Sequence, residues 1–159
     1  MNKLFVYNAQ LIGIKESVLF ELDERIAASS FVLGDWPLAK VLLKNDRNYP
    51  WFLLVPRRAK LEELYQLSGK EQGLLMQEIN QLSLLVKNYY QPEKINIATL
   101  GNMVRQLHIH CVARGEQDPL WPQGIWQTAY QAHEYSEKEL TVILPSLVNL
   151  VEQAKNFFT

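Results

Sequence analysis

Apolar positions along the chain follow two periods, and the change from one to the other lays out its elements. Two short apolar runs, Phe31-Val32-Leu33 and Leu38-Ala39-Lys40-Val41-Leu42-Leu43, flank Gly34-Asp35-Trp36-Pro37. Runs of this length around a Gly/Pro turn predict a hairpin of two strands. Beyond the polar stretch Asn45-Asp46-Arg47-Asn48, Trp51-Phe52-Leu53-Leu54-Val55 reads as a third strand. Pro56 ends it, having no amide hydrogen to give a ladder. The period then lengthens: Leu75, Ile79, Leu82, Val86 and Tyr89 recur at helical spacing and predict one apolar helix face. Ser68-Gly69-Lys70-Glu71 in front of them is a capping box, whose hydroxyl and carboxylate each satisfy an amide at the helix start. Ile95 and Ile97 alternate with Asn96 and Ala98 as in a strand, and Gly101-Asn102 offers a turn before the next extended segment, Gln106 to Cys111.

Between Gly115 and Gln127, two prolines and two tryptophans argue against a regular element. Ser136-Glu137-Lys138-Glu139 is a second capping box, with Tyr135 and Leu140 placed as a hydrophobic staple. It opens a helix toward Phe157, which Pro145 is expected to kink or split. Residues 1 to 28 show no readable period. Strands, a helix, strands and a helix in that order predict the α+β class: an antiparallel sheet of about five strands, with a long helix and a C-terminal helix on one side or end of it. No repeat or flexible linker interrupts the pattern, so residues 1–159 are expected to form a single domain ending in a helical extension over 136–158.

Composition narrows the picture without changing it. With 48% hydrophobic and 21% charged residues, the chain of 159 residues is able to bury one real core. Sixteen basic residues nearly balance seventeen acidic ones, which argues against nucleic acid as the main partner and leaves a small anionic ligand open. Cys111 is the single cysteine, so no internal disulfide framework exists and a reducing compartment fits. The start, Met1-Asn2-Lys3-Leu4-Phe5-Val6-Tyr7-Asn8, lacks a secretory pattern, and no segment reaches the roughly 18 apolar residues of a membrane span. A cytoplasmic protein, not associated with membranes, is expected.

The segment Gln106-Leu107-His108-Ile109-His110 carries the chemistry. In a strand, side chains alternate faces, so Gln106, His108 and His110 share one face while Leu107, Ile109 and Cys111 share the other. The apolar side is placed to pack on the helices, leaving an amide and two imidazoles in a row. Imidazole suits phosphoryl chemistry because one nitrogen attacks while the other fixes the tautomer through a hydrogen bond. A second histidine is placed to donate or relay a proton, and Gly101-Asn102 to bring donors to phosphate oxygens. The pattern alone leaves two other readings open. Two alternating histidines are as often simply hydrated, and His-x-His is also half of a metal site, although Cys111 points to the other face and no carboxylate lies near in sequence.

The segment Gln106-Leu-His-Ile-His-Cys-Val-Ala-Arg114 resembles the signature of the histidine triad superfamily, His-φ-His-φ-His-φ-φ with φ apolar, differing only at the first histidine. Trp51-Phe-Leu-Leu-Val-Pro-Arg57 is similar to the family's strand ending in a hydrophobic-Pro-basic step, Leu100-Gly101-Asn102 to its turn before the signature, and Trp121-Pro122 to a tail of several members. The resemblance covers about residues 30 to 127. It implies a homodimeric, metal-independent and cofactor-free hydrolase or transferase of nucleotide phosphoesters, phosphoanhydrides or phosphoramidates. On that resemblance His108 attacks the α-phosphorus to form a nucleotidyl-histidine intermediate, and His110 bonds a phosphate oxygen. Asn102 binds the phosphate or leaving group, Asn45 falls near the ribose position, and Gln106 joins substrate binding. Two departures stand out. Gln106 replaces the first triad histidine and cannot carry a proton charge at neutral pH, and Trp51 stands where many members carry a further histidine. A nucleotide-binding module with weak catalysis is the alternative these departures raise, and a His108/His110 metalloprotein the third.

Other residues draw plainer expectations. His133 reads as a surface residue, Cys111 as a small core side chain, and Arg57, Arg58 and Lys60 as a solvated strand end. Arg114 is assigned a structural part. Trp36, Trp121 and Trp126 remain open among core, dimer contact and base platform.

Overall fold

The computed structural model describes residues 19–158. The N-terminal stretch Met1–Asn8, read above for secretory signals, lies outside them. Five strands form one antiparallel sheet: β1 (Ser30–Asp35), β2 (Ala39–Lys44), β3 (Trp51–Pro56), β4 (Lys94–Ala98) and β5 (Ile109–Arg114). Their order across the sheet is β1-β2-β3-β5-β4, which places the histidine strand between β3 and the outer strand β4. Among the described residues three α-helices accompany them, α1 (Glu24–Ala28), α2 (Gly69–Tyr90) and α3 (Glu137–Lys155). The α+β class is therefore as read from sequence. Among the described residues no helix is long and apolar enough to cross a membrane.

Alternation along the strands sorts the core into two layers. Val41, Leu43, Phe52, Leu54, Ile109, Cys111 and Ala113 face Leu75, Leu82 and Val86 of α2 and Leu147 and Val151 of α3. Leu42, Trp51, Leu53, Val55 and Val112 face the other way, against Ile26 of α1, Tyr49 and Ile125. Both long helices lie on one side, as expected. The opposite side is not left open: α1 and the segment after β5 cover it, and every residue of β3 and β5 is buried.

Both capping boxes form. Ser68 Oγ accepts from the Glu71 amide while Glu71 accepts from the Ser68 amide, and Ser136 and Glu139 repeat the exchange. Pro145 does not break α3, which runs unbroken from Glu137 to Lys155. Two details depart from the sequence reading. The expected turn at Gly34-Asp35 belongs to β1, because a bulge between Val32 and Gly34 absorbs one extra residue and lets pairing continue to Asp35 opposite Lys40. The close approach of β1 to α3 favours glycine there: a Cβ on Gly34 would lie 3.1 Å from Val151 Cγ1 of α3. On α2, Tyr89 is exposed and Tyr90 packs on the core in its place.

Two buried polar groups tie the layers. Glu78, on the core face of α2, accepts hydrogen bonds from the Leu38 and Ala39 amides at 2.7 and 3.0 Å, fixing the start of β2. Burial pushes its carboxyl up to about 7 despite those two donors. Arg114, at the end of β5, grips Asp118 at 2.7 and 3.0 Å, Asn96 Oδ1 at 2.9 Å and the Gln123 carbonyl at 2.8 Å. Its guanidinium lies over the rings of Tyr49 and Trp121. An irregular segment is thereby held against the sheet by one satisfied cation, the structural part expected of it.

Candidate active site

The polar row sits where the sequence places it, although regular pairing of β5 begins only at Ile109. His108 and His110 lie side by side on the face opposite α2 and α3, their ring centroids 4.8 Å apart and nearly perpendicular. Both are buried, 8% and 7% exposed, so they are not a hydrated surface pair.

Each imidazole is held through Nδ1, by opposite kinds of partner. His108 Nδ1 is 2.7 Å from the main-chain oxygen of Gln106. A carbonyl only accepts, so this nitrogen carries the hydrogen and Nε2 presents its lone pair. His110 Nδ1 is 3.0 Å from Trp51 Nε1. An indole only donates, so here Nδ1 carries the lone pair and Nε2 the hydrogen. Burial, with the basic groups of His108 and Lys44 beside it, pushes His110 down to about 3. The site thus sets a lone-pair nitrogen of His108 beside an N–H donor of His110 that stays uncharged at neutral pH.

These groups line a cavity of about 560 Å³ between α1, β2, β3, β5 and the loop before β5. Lys44, Trp51, Leu53, His108, His110 and Trp126 form its sheet side, and Arg25, Ile26 and Leu100 to Val104 its rim. Among the lining residues are two cations and no carboxylate. Arg25 is engaged by Asp23 at 3.0 Å and by the Met103 carbonyl at 2.6 Å. Lys44 has no hydrogen-bond or ion-pair partner among the described residues, and burial lowers its pKa. A concave site with an imidazole lone pair and an unpaired ammonium suits an anionic electrophile such as a phosphoryl group.

The remaining residues of interest are distributed differently. Asn102 lines the cavity beside Gly101, whose φ of 85° is the left-handed turn geometry that glycine adopts freely. The Gln106 side chain does not line it: its amide oxygen accepts from the Asp23 amide at 2.9 Å and its nitrogen donates to the Glu21 carbonyl at 2.7 Å. Gln106 therefore clasps the segment leading into α1, and through Arg25 that segment reaches the Gly101-Asn102 loop. Asn45 lies outside the lining, its side-chain oxygen taken by the Tyr135 amide at 3.0 Å. Next to it, buried Asp46 binds Tyr130 Oη at 2.5 Å and the His133 amide, which anchors the segment leading to α3. His133 is exposed, as expected, with its ring against Asn48. Cys111 faces the helices, buried, its thiol pushed up to about 12 by desolvation. Among the described residues no cluster of three or more His, Cys, Asp or Glu is arranged to hold a metal.

Sequence reasoning missed Lys44 and Arg25 and left Trp126 open among core, dimer contact and base platform. Lys44 ends an apolar strand and reads as solvated, and the other two come from segments without periodicity. Trp51 was noticed only as a departure, while its hydrogen bond to His110 depends on the register of β3 against β5, Leu53 opposite His110.

Two buried imidazoles of opposite hydrogen-bond polarity, beside a Gly-Asn turn, mark the site of this α+β domain. The HIT domain family matches residues 25–117, and the chain belongs to it. A histidine triad protein from Marinobacter aquaeolei is 38% identical, covering 86% of this chain and 98% of that one with a TM-score of 0.81. A histidine triad protein from Sinorhizobium meliloti is also 38% identical, over 82% of this chain and 96% of that one, with a TM-score of 0.77. A hypothetical histidine triad nucleotide-binding protein from Sulfolobus tokodaii, 12% identical over 80% of this chain and 84% of that one, shares the fold at a TM-score of 0.55. No curated protein matches the chain.

Proposed function

We propose that this HIT protein is a nucleotide hydrolase or nucleotidyl transferase acting on a phosphoester, phosphoanhydride or phosphoramidate through a nucleotidyl-histidine intermediate on His108. The observation that carries the reading is the 2.7 Å contact between His108 Nδ1 and the Gln106 main-chain oxygen. It makes Nε2 the nucleophile and stabilises the ring when that nitrogen becomes bonded to phosphorus and the imidazole turns cationic. His110 Nε2–H and the Asn102 side chain supply donors for the phosphate oxygens, where charge grows in the transition state. Lys44 adds positive charge. In the second step water attacks phosphorus, the N–P bond breaks and His108 regains its lone pair. The cavity is large enough for a nucleotide portion. The chemistry described needs no metal.

Rapid quench of the protein with a dinucleoside polyphosphate, followed by mass analysis of the His108 peptide, tests the reading. A nucleotide mass on His108 in the wild type, absent from folded His108→Ala, is expected. The engagement of Gln106 by Glu21 and Asp23 favours a second reading, a binding module without efficient turnover. Tight nucleotide binding by calorimetry with no trapped intermediate would establish that module and refute the enzyme.

We also propose a homodimer joined along β4. This outer strand and α2 carry exposed Ile97 and Met76, and an apolar groove lined by Leu64, Leu75, Ile79 and Ile109 runs beside them. Sedimentation equilibrium of wild type and Ile97→Asp is expected to give dimer and monomer. The cytoplasm is the proposed location, on the free buried thiol of Cys111.

A further inference from the structure

Trp51 occupies the centre of the site without any group that reacts. Its Nε1–H points its hydrogen at His110 Nδ1 over 3.0 Å, and an indole has no lone pair to offer in exchange. Placing a proton on that Nδ1 would set two N–H groups head to head. The other charged or titratable groups lining the cavity act in the same direction: His108 just before β5, Lys44 at the end of β2 and Arg25 on α1 are all basic. Trp126 lies against the ring at a centroid distance of 5.4 Å, and His110 is buried.

We propose that Trp51 is a positioning residue that locks His110 as a neutral Nε2–H donor, and that this lock confines the reaction to phosphoanhydrides, whose leaving group departs as a phosphate anion. The inference rests on His108 being the nucleophile. A neutral imidazole hydrogen-bonds to a developing oxyanion, but it is a far weaker acid than imidazolium and does not hand its proton over. With an anhydride none is needed. His108 Nε2 forms a bond to the α-phosphorus, the P–O bond to the leaving phosphate breaks, and both electrons of that bond remain on the departing oxygen. Lys44, half-buried and unpaired among the described residues, meets the anion released. Water then displaces His108 from phosphorus and its proton passes to solvent. A phosphoramidate breaks down differently. Its nitrogen must be protonated to leave as an amine, and His108, neutral while it attacks through Nε2, has only the Nδ1 hydrogen held by the Gln106 carbonyl. Neither imidazole supplies that proton, and the ammonium of Lys44 is a far weaker acid than imidazolium.

The experiment compares a dinucleoside polyphosphate with a nucleoside phosphoramidate carrying the same nucleotide, on wild type and Trp51→His. Wild type is expected to favour the anhydride by at least about 100-fold in kcat/KM, the scale of a general-acid contribution that the amide lacks. Trp51→His places an acceptor opposite His110, so the preference is expected to shrink by at least about 10-fold, with phosphoramidate turnover rising toward acid pH. Nitrogen-15 NMR of wild type gives a readout independent of any variant: His110 should show a bare Nδ1 and a protonated Nε2 from about pH 5 to 9. A protonated Nδ1 in that range, or wild-type turnover of the phosphoramidate equal to that of the anhydride, overturns the lock. If nucleotidyl-His108 is trapped in that second case, only this inference falls. If neither substrate yields an intermediate, the nucleophile reading falls with it.

Discussion

The two faces of the sheet are built from the same alternating strands and obey different rules. Toward α2 and α3 the contacts are apolar and nondirectional, so Leu82 or Leu147 contributes through the area it removes from water. Toward α1 and the cavity, a Gln106 carbonyl, an indole N–H and two imidazoles each have one acceptable orientation. Packing tolerates exchange of similar shapes, whereas a donor cannot be traded for an acceptor. Stability should therefore reside mainly on one face and chemistry on the other.

The largest expected effect sharpens that contrast. His108→Ala should lower turnover by at least about 10⁴-fold, as removal of a nucleophile does, while moving the denaturation midpoint little. A large loss of stability in that variant would mean that the cavity face also holds the fold. Arg114→Ala comes next, and it is the exception on the cavity side. It leaves buried Asp118 without its partner and should cost about 3–5 kcal/mol in urea denaturation. Leu82→Ala is expected to cost about 2–5 kcal/mol by the same measurement, with kcat/KM per folded molecule unchanged. If its activity falls with its stability, the two faces are coupled.

The smallest effect is a pH dependence of opposite sign on the two faces. Glu78 is raised from 4.5 to about 7, so its stabilising contribution is whole below pH 4.5 and lost as pH rises through 7. His110 is lowered from 6.5 to about 3, so its contribution is whole above pH 6.5 and lost as pH falls through 3. Denaturation midpoints of wild type and Glu78→Gln across that range separate them. The variant should lose the decline toward neutral pH while keeping the decline toward acid. An unchanged slope would remove Glu78 from the account.

Much of the fold was legible because periodicity and capping are local. The five strands and two long helices lie close to where their patterns put them, and Ser68-Glu71 and Ser136-Glu139 cap as read. The short helix at Glu24 carries too few turns to show a period. The extension of β1 through Gly34 depends on a bulge that only pairing with β2 reveals. For the site, the alternation of His108 and His110 was legible, and so was the Gly101 turn. Gln106 was read as substrate-facing from its place in the row, yet its amide is spent on Glu21 and Asp23, 85 and 83 positions away. Asn45 was placed near a ribose on resemblance, and its side chain holds the Tyr135 amide across 90 positions.

The sequence by itself determined which side chains share a face, because in a strand that follows from counting by two. It also determined that two imidazoles and a turn stand together. Only the tertiary structure decided what each nitrogen meets: a carbonyl that leaves His108 Nε2 its lone pair and an indole that leaves His110 Nε2 its hydrogen. The partner of His108 lies two residues away and the partner of His110 59 away. Both depend on how the chain is bent and stacked, because hydrogen-bond polarity is set by the atom that arrives within about 3 Å and not by the residue type that waits for it.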